Sequence, residues 1–196
     1  MKKHGFVLAT MILLATLACK QKEKTNTKKE SFFPALSFIQ SQVAHVDTSL
    51  YSIIKIVHQD TLHYDTTYIK REEFRDAAKD FLDIPDLSAP KTANRFTEEK
   101  LFDETMNRVI LSYKPKDPDK EEIQKEEVLI TPGTATGDKV NSIIIDRVIN
   151  NRDGFLEKKM LWRVDKSFQV VTTTQKPGEP EKTIIIEVIW NEDKDE

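Results

Sequence analysis

The sequence predicts an α+β domain, in which two N-terminal helices pack on a curved, mainly antiparallel sheet of seven to eight strands. Partial closure of that sheet into a barrel is left open as an alternative. Two observations lead to this fold class. Apolar residues recur at helical spacing in the first half of the domain, and from residue 105 onward runs rich in Ile, Val, Thr and aromatic residues alternate with short turn signals. Short connections between such runs favour antiparallel neighbours.

Both predicted helices are amphipathic. The first covers residues 31–46, with Ser31 as its N-cap and Pro34 in its first turn, where a missing amide donor costs nothing. Its apolar residues are Leu36, Ile39, Val43 and Val46. The second begins from Lys70, where the period changes, and is stopped by Pro85. Its apolar residues are Phe74, Ala77, Ala78, Phe81 and Leu82.

The predicted strands fall into a hairpin and a later series. The hairpin pairs residues 51–58 with 62–69 and lies between the two helices. Residues 83–95 contain two prolines and are predicted to form a long surface connection. The later strands are predicted at 105–114, 125–131, 139–149, 155–164, 167–175 and 182–190.

Two of these strands carry unbroken isoleucine runs, at residues 143–145 and 184–186. Because successive side chains of a strand point to opposite faces, each run places apolar side chains on both sides of the sheet. We expect central strands there, covered by helices on one side and by helices, a partner or a ligand on the other.

The first residues of the chain have the pattern of an export signal. Lys2 and Lys3 precede an apolar stretch over residues 6–18, which is shorter than the ~20 residues that span a bilayer. The only cysteine, Cys19, follows directly. Residues 16–19, Thr-Leu-Ala-Cys, resemble the lipobox of bacterial lipoproteins, although Thr16 stands where that family usually has Leu or Val. This resemblance implies lipid attachment at Cys19, and a plain secretory signal is the alternative.

The same resemblance implies a location and a domain organisation. Lys20, in place of the aspartate associated with inner-membrane retention, implies anchoring in the outer membrane, on its periplasmic face. The predicted organisation is a signal peptide over residues 1–18, a lipidated cysteine with a disordered tether over 19–30, one α+β domain over 31–190, and an acidic frayed tail over 191–196. The lysine-rich tether is either a solvated spacer or a contact with anionic lipid headgroups.

Charge and cysteine content exclude several classes of function. Residues 31–196 carry 23 Lys and Arg against 31 Asp and Glu, and a net charge of −8 disfavours nucleic acid as a partner. Without cysteines, this domain has no disulfide framework, thiolate metal site or cysteine nucleophile.

Few residues are candidates for chemistry. His45, His58 and His63, with Asp65, could contribute metal ligands, but their spacing matches no known metal motif. Asp83 and Asp86 could form an acid and base pair, although both are also ordinary helix-exit residues. The segment 133–139 fails the spacing of a phosphate-binding loop, because three residues rather than four separate its glycines. No cofactor, metal site or catalytic residue is therefore predicted.

Three aromatic residues, Trp162, Phe168 and Trp190, are candidate ligand contacts, with a place in the hydrophobic core as the alternative. In outline, the leader and layout resemble uncharacterised lipoproteins of the Bacteroidota. The predicted function is a non-catalytic, membrane-tethered module of the cell envelope that binds a protein partner or has a structural role. The alternatives are a periplasmic carrier of a small apolar ligand or lipid and, third, an envelope hydrolase. A flat exposed patch on the isoleucine-rich faces would favour the first, and an enclosed apolar pocket the second.

Overall fold

A computed structural model describes residues 31–59, 63–135 and 137–191. The described residues belong to one compact unit that begins at Ser31. The predicted signal peptide, Cys19 and the tether lie outside the described residues, as do residues 60–62 and 192–196.

All four α-helices of the described residues lie before Phe96, and from Phe96 onward the described chain consists of strands and turns. The helices are α1 (Ala35–Thr48), α2 (Arg71–Ala77), α3 (Lys79–Leu82) and α4 (Pro90–Ala93), with a 3₁₀ turn at Pro118–Lys120. The strands are β1 (Ile53–His58), β2 (Tyr64–Ile69), β3 (Phe96–Asp103), β4 (Arg108–Pro115), β5 (Ile123–Thr134), β6 (Gly137–Asn151), β7 (Gly154–Arg163), β8 (Ser167–Gln175) and β9 (Lys182–Ile189).

All nine strands form one antiparallel sheet in the order β2-β1-β9-β8-β7-β6-β5-β4-β3. From β3 to β9, each strand pairs with the next one in the chain, and β1 then pairs with β9. The predicted antiparallel sheet is confirmed. The predicted number of strands was too low, however, and the sheet is not closed, because β2 and β3 form its two ends.

The strand missing from the prediction is β3. Its central residues Glu98, Glu99 and Lys100 are charged, so no apolar alternation marks the strand in the sequence. This charged composition suits its place at an edge of the sheet, where charges discourage pairing with another chain. The predicted connection over residues 83–95 fills the interval between the end of α3 at Leu82 and the start of β3 at Phe96, and it contains α4.

The helices depart from the prediction in two places. α1 begins at Ala35 rather than at residue 31, because Pro34 takes the N-cap position and Ser31 caps nothing there. The second helix is divided into α2 and α3 at Ala78, whose backbone angles of φ −84° and ψ 3° leave the helical range. Helices packed on a sheet nevertheless agree with the coarse α+β prediction.

The helices pack on one face of the sheet, which we call the covered face. Ile39 and Val43 of α1, Phe74 of α2 and Phe81 of α3 are fully buried. They pack against the sheet, where every second side chain of a strand points to the covered face. These side chains of the sheet include Ile53, Tyr113, Val128, Ile143, Ile145, Met160, Trp162, Phe168 and Val188.

The opposite side of the sheet, which we call the open face, carries no helix among the described residues. The isoleucine run of β6 shows the difference: Ile143 and Ile145 are fully buried, whereas Ile144 between them keeps part of its surface exposed. In β9, by contrast, Ile184, Ile185 and Ile186 are all only partly buried. The difference between the two faces is therefore clear in β6 but not in β9, and covering of the open face by a partner or a ligand stays a prediction.

Candidate functional site

Trp162, Phe168 and Trp190, the predicted ligand contacts, lie together in the core. The ring centroid of Trp162 is 5.4 Å from that of Phe168, with the two rings stacked at 16°, and 5.3 Å from that of Trp190. Phe81 of α3 meets Trp162 edge-on at 5.1 Å. All four side chains are buried. This burial favours the core role that the sequence left as the alternative.

The histidines do not converge on a metal site. His45 contacts Tyr51 at 6.3 Å between ring centroids, and His58 contacts Tyr64 across the β1/β2 pair at 5.6 Å. Throughout the described ranges, no group of three His, Cys, Asp or Glu residues is arranged to hold a metal ion. His45 and His58 have aromatic neighbours instead.

Asp83 and Asp86 have different surroundings. Asp83 is an exposed residue at the end of α3. Asp86 accepts two hydrogen bonds through Oδ1, from the backbone N–H of Ser88 at 2.9 Å and from its hydroxyl at 2.6 Å. This is the local turn that aspartate commonly forms with its own backbone two residues on.

A buried carboxyl group that the sequence analysis did not single out lies on β5. Glu126 is 1% exposed, and among the described residues its Oε1 has no hydrogen-bond partner. Burial, with a smaller contribution from Asp86, raises the pKa of Glu126 to about 8. The carboxyl is therefore protonated at neutral pH. The signal was present in the sequence, since Glu126 is two residues before Val128 and so shares its face of the strand.

Tyr113 stands opposite Glu126 in the β4/β5 pair and joins it in the core. Its hydroxyl donates to Oε1 of Glu98 at 3.0 Å and accepts from the backbone N–H of Phe33 at 2.9 Å. Burial is the main cause that raises the pKa of Tyr113, and the negative charge of Glu98 adds to it. These bonds attach the chain just before α1 to the sheet.

The open face has two features of its own. The first is an apolar area that we call the tyrosine patch, at the β2 end of the sheet. Tyr64 is 65% exposed and Tyr68 is 74% exposed, and both point to the open face beside the isoleucines of the neighbouring strands. The patch consists of Tyr64, Tyr68, Ile54, Ile56, Ile185 and Ile189.

The second feature is a cavity of about 460 Å³ on the open face, beside the turn that joins β7 to β8, which we call the cationic cavity. Its lining includes four basic side chains, Arg108, Lys139, Arg163 and Lys166. They come from β4, β6, β7 and the turn after β7, so no sequence motif joins them. Asn141, Ser142, Leu161 and Val164 complete the lining.

A β-bulge shapes this cavity. The register of the β5/β6 pair shifts between Leu129 and Ile130, so that Leu129 pairs with Ser142 but Ile130 pairs with Val140. The extra residue is Asn141, whose side-chain N–H donates to the hydroxyl of Thr131 at 2.8 Å. Asn141 lines the cavity together with Ser142. Bulges redirect side chains in this way, and they are common beside binding and active sites.

Comparison with known proteins gave no matching family model, no matching curated protein and no matching solved structure. Of the helices in the described part of the chain, none is long and apolar enough to cross a membrane. Any statement of function therefore depends on the geometry of the two open-face features.

Proposed function

We propose that this protein is a lipid-anchored, non-catalytic module of the cell envelope, which binds a protein partner at the tyrosine patch and the adjoining edge of β2. The observation that supports it is the exposure of Tyr64 and Tyr68 on an edge strand. Large exposed apolar side chains grouped on one face are typical of interaction surfaces. The partner's contribution is an extended segment that lines up along β2.

The two edges of the sheet differ in how well they resist such pairing. β3 carries Glu98, Glu99, Lys100 and Asp103, and charges of this kind keep an edge from pairing with another chain. Of the six residues of β2, Asp65 alone is charged. Within the described residues no strand pairs with the outer side of β2, so its backbone donors and acceptors are available to an added strand.

The tyrosine patch also indicates which side chains the partner brings. Tyr68 lies opposite Ile54, which in turn lies opposite Ile189, and Tyr64 lies opposite His58. An added strand with apolar residues at alternate positions would cover Tyr64 and Tyr68 from the open face. Main-chain hydrogen bonds would supply affinity, and these side chains would supply selectivity.

Site-specific photocrosslinking in the native envelope tests the partner site. Thr66 of β2 and Glu99 of β3 lie at opposite ends of the same cross-strand row of the open face. We expect a photoreactive residue at position 66 to give one discrete protein adduct and the same residue at position 99 to give none. The Y64S/Y68S double variant should reduce the adduct at position 66 about tenfold or more, because it removes two exposed anchors.

The matched control is Leu101→Ser, which removes a side chain that is 62% exposed on the open face of the other edge strand. It should leave the adduct at position 66 unchanged. Equal adducts at positions 66 and 99, or an adduct insensitive to loss of both tyrosines, would contradict the proposal. A lipid adduct at position 66 in place of a protein would support the carrier alternative.

Membrane attachment through Cys19 is the second part of the proposal, and it has its own test. Cys19→Ser removes the thiol that would carry the lipid, so the variant should leave the membrane fraction almost completely. Membrane sedimentation followed by immunoblotting measures this, with Ser31→Ala as a control that should remain with the membrane. Continued sedimentation of the Cys19→Ser variant with membranes would refute lipid anchoring.

The cavity favours neither of the alternatives from the sequence. An apolar carrier needs a pocket lined by side chains such as the isoleucines, whereas four of the eight residues that line the cationic cavity are Arg or Lys. A hydrolase needs polar groups that meet at one reacting position, whereas Oδ1 of Asp86 is used in a local turn with Ser88.

A further inference from the structure

We propose that the cationic cavity binds a small organic molecule through a phosphate group. This site is separate from the tyrosine patch, and the inference does not depend on the partner proposed for β2. Arg108, Lys139, Arg163 and Lys166 place four positive charges around about 460 Å³ of space. The described residues that line it include no Asp or Glu.

The local charge is opposite to that of the rest of the domain. Residues 31–196 have a net charge of −8, so four basic side chains around one cavity do not follow from composition. Several carboxylates lie near this group. Glu187 is 3.6 Å from Nη1 of Arg163, and Asp103 stands opposite Arg108 in the β3/β4 pair. Asp138 and Asp165 adjoin Lys139 and Lys166 in the chain. None of these acids lines the cavity, whereas all four basic side chains do, so the charged groups that line it are all positive.

The net negative charge of the domain also limits the class of ligand. A large polyanion would extend beyond the cavity over a domain of net negative charge and be repelled by it. For a small anion inside the cavity, the nearest charges contribute most of the electrostatic energy. The sign of the whole domain therefore favours a small ligand over an acidic protein or a nucleic acid.

The donors fit a phosphate group better than a single carboxylate. Arg163 and Arg108 present planar guanidinium groups that can each donate two parallel hydrogen bonds to oxygen atoms of one anion. Lys139 and Lys166 add point charges, and the bulge adds the amide of Asn141 and the hydroxyl of Ser142. A phosphate ester with two negative charges can use more of these donors at once than a singly charged carboxylate.

The size and the apolar part of the lining indicate that the ligand is more than the anion. Cavities of about 300 to 1,000 Å³ are typical of small-molecule sites, and an inorganic phosphate would fill only part of this one. Leu161 and Val164 give the cavity an apolar side. An organic group attached to the phosphate would contact them, in the manner of a sugar phosphate or the headgroup of a phospholipid.

Isothermal titration of the full-length protein in detergent, with glucose 1-phosphate and then with glucose, tests the phosphate requirement. We expect glucose 1-phosphate to bind and glucose not to bind. Arg163→Gln and Lys139→Gln should each weaken binding about tenfold, because each removes a charge-assisted hydrogen bond. The control, Lys159→Gln, removes a positive charge from the open face of β7 outside the cavity and should change the affinity less than about twofold.

A second arm distinguishes a free phosphate ester from a lipid headgroup. It measures flotation of the same protein with phosphatidylcholine vesicles, with and without phosphatidic acid, which carries a phosphate monoester. Dependence on Arg163 and Lys139 in either arm supports the site, and the arm in which it occurs identifies the source of the phosphate. Absence of binding in both arms, or binding that both cavity variants leave unchanged, would overturn the inference.

Discussion

Replacing Glu126 by glutamine should stabilise the protein at alkaline pH and remove most of the pH dependence of its stability above pH 5. Burial raises the pKa of Glu126 from an ordinary 4.5 to about 8. Between these two values the folded protein holds a proton that the unfolded chain has released, so the free energy of unfolding falls as the pH rises. The loss should reach about 3 to 5 kcal/mol by pH 9 and should be absent below about pH 4.5.

Urea unfolding at pH 5 and pH 9 measures this effect. Glutamine has the shape of the protonated glutamate and no charge to bury, so Glu126→Gln should unfold at nearly the same urea concentration at both pH values. Glu127→Gln is the matched control, since Glu127 faces the open side and lies 3.3 Å from Lys125. It should keep the wild-type pH dependence. If Glu126→Gln also keeps it, the carboxyl of Glu126 is not the group responsible.

Truncating Trp162 to alanine should destabilise the protein by about 3 to 5 kcal/mol, which is the usual cost of removing a large buried aromatic side chain. Trp162 is fully buried and packs against Phe81, Phe168 and Trp190, so the change leaves a cavity at the centre of the aromatic cluster. Thermal unfolding followed by circular dichroism measures the loss.

A second variant, Trp162→Phe, tests the indole N–H separately, because it keeps an aromatic ring in the cluster and removes that N–H. That N–H is buried and has no hydrogen-bond partner among the described residues. Its removal should partly offset the lost contacts, and the total cost should stay under about 2 kcal/mol. A stability change below about 1 kcal/mol in Trp162→Ala would contradict the core role and return Trp162 to the candidate ligand contacts.

Long strands with clear alternation could be predicted closely from the sequence. The predicted strand 167–175 has the same bounds as β8, and the predicted strand 139–149 lies within β6, whose observed range is Gly137–Asn151. In these segments β-branched residues and turn signals act together, so local preference and tertiary structure agree. β3 was missed because its charged residues suit an edge, and the edge position depends on neighbours that a local pattern does not show.

The open-face features required the strand register. Arg163 and Ser142 are neighbours only because β7 pairs with β6 in one particular alignment, and Arg108 joins them across β5. The bulge at Asn141 was equally hidden, since one extra residue in a strand leaves no periodic signal. Glu126 differs from these cases, because its position two residues before Val128 made an inward direction predictable.

The pairing of β1 with β9 bears on how the chain acquires its structure. From β3 to β9, neighbouring strands are consecutive in the chain, and their contacts need only short loop closures. β1 instead obtains its second neighbour only when β9 has been synthesised. β1 is therefore synthesised early but gains its second neighbouring strand late. A nascent polypeptide arrested before β9 would expose Ile54 and Ile56 on an unpaired edge that is prone to aggregation.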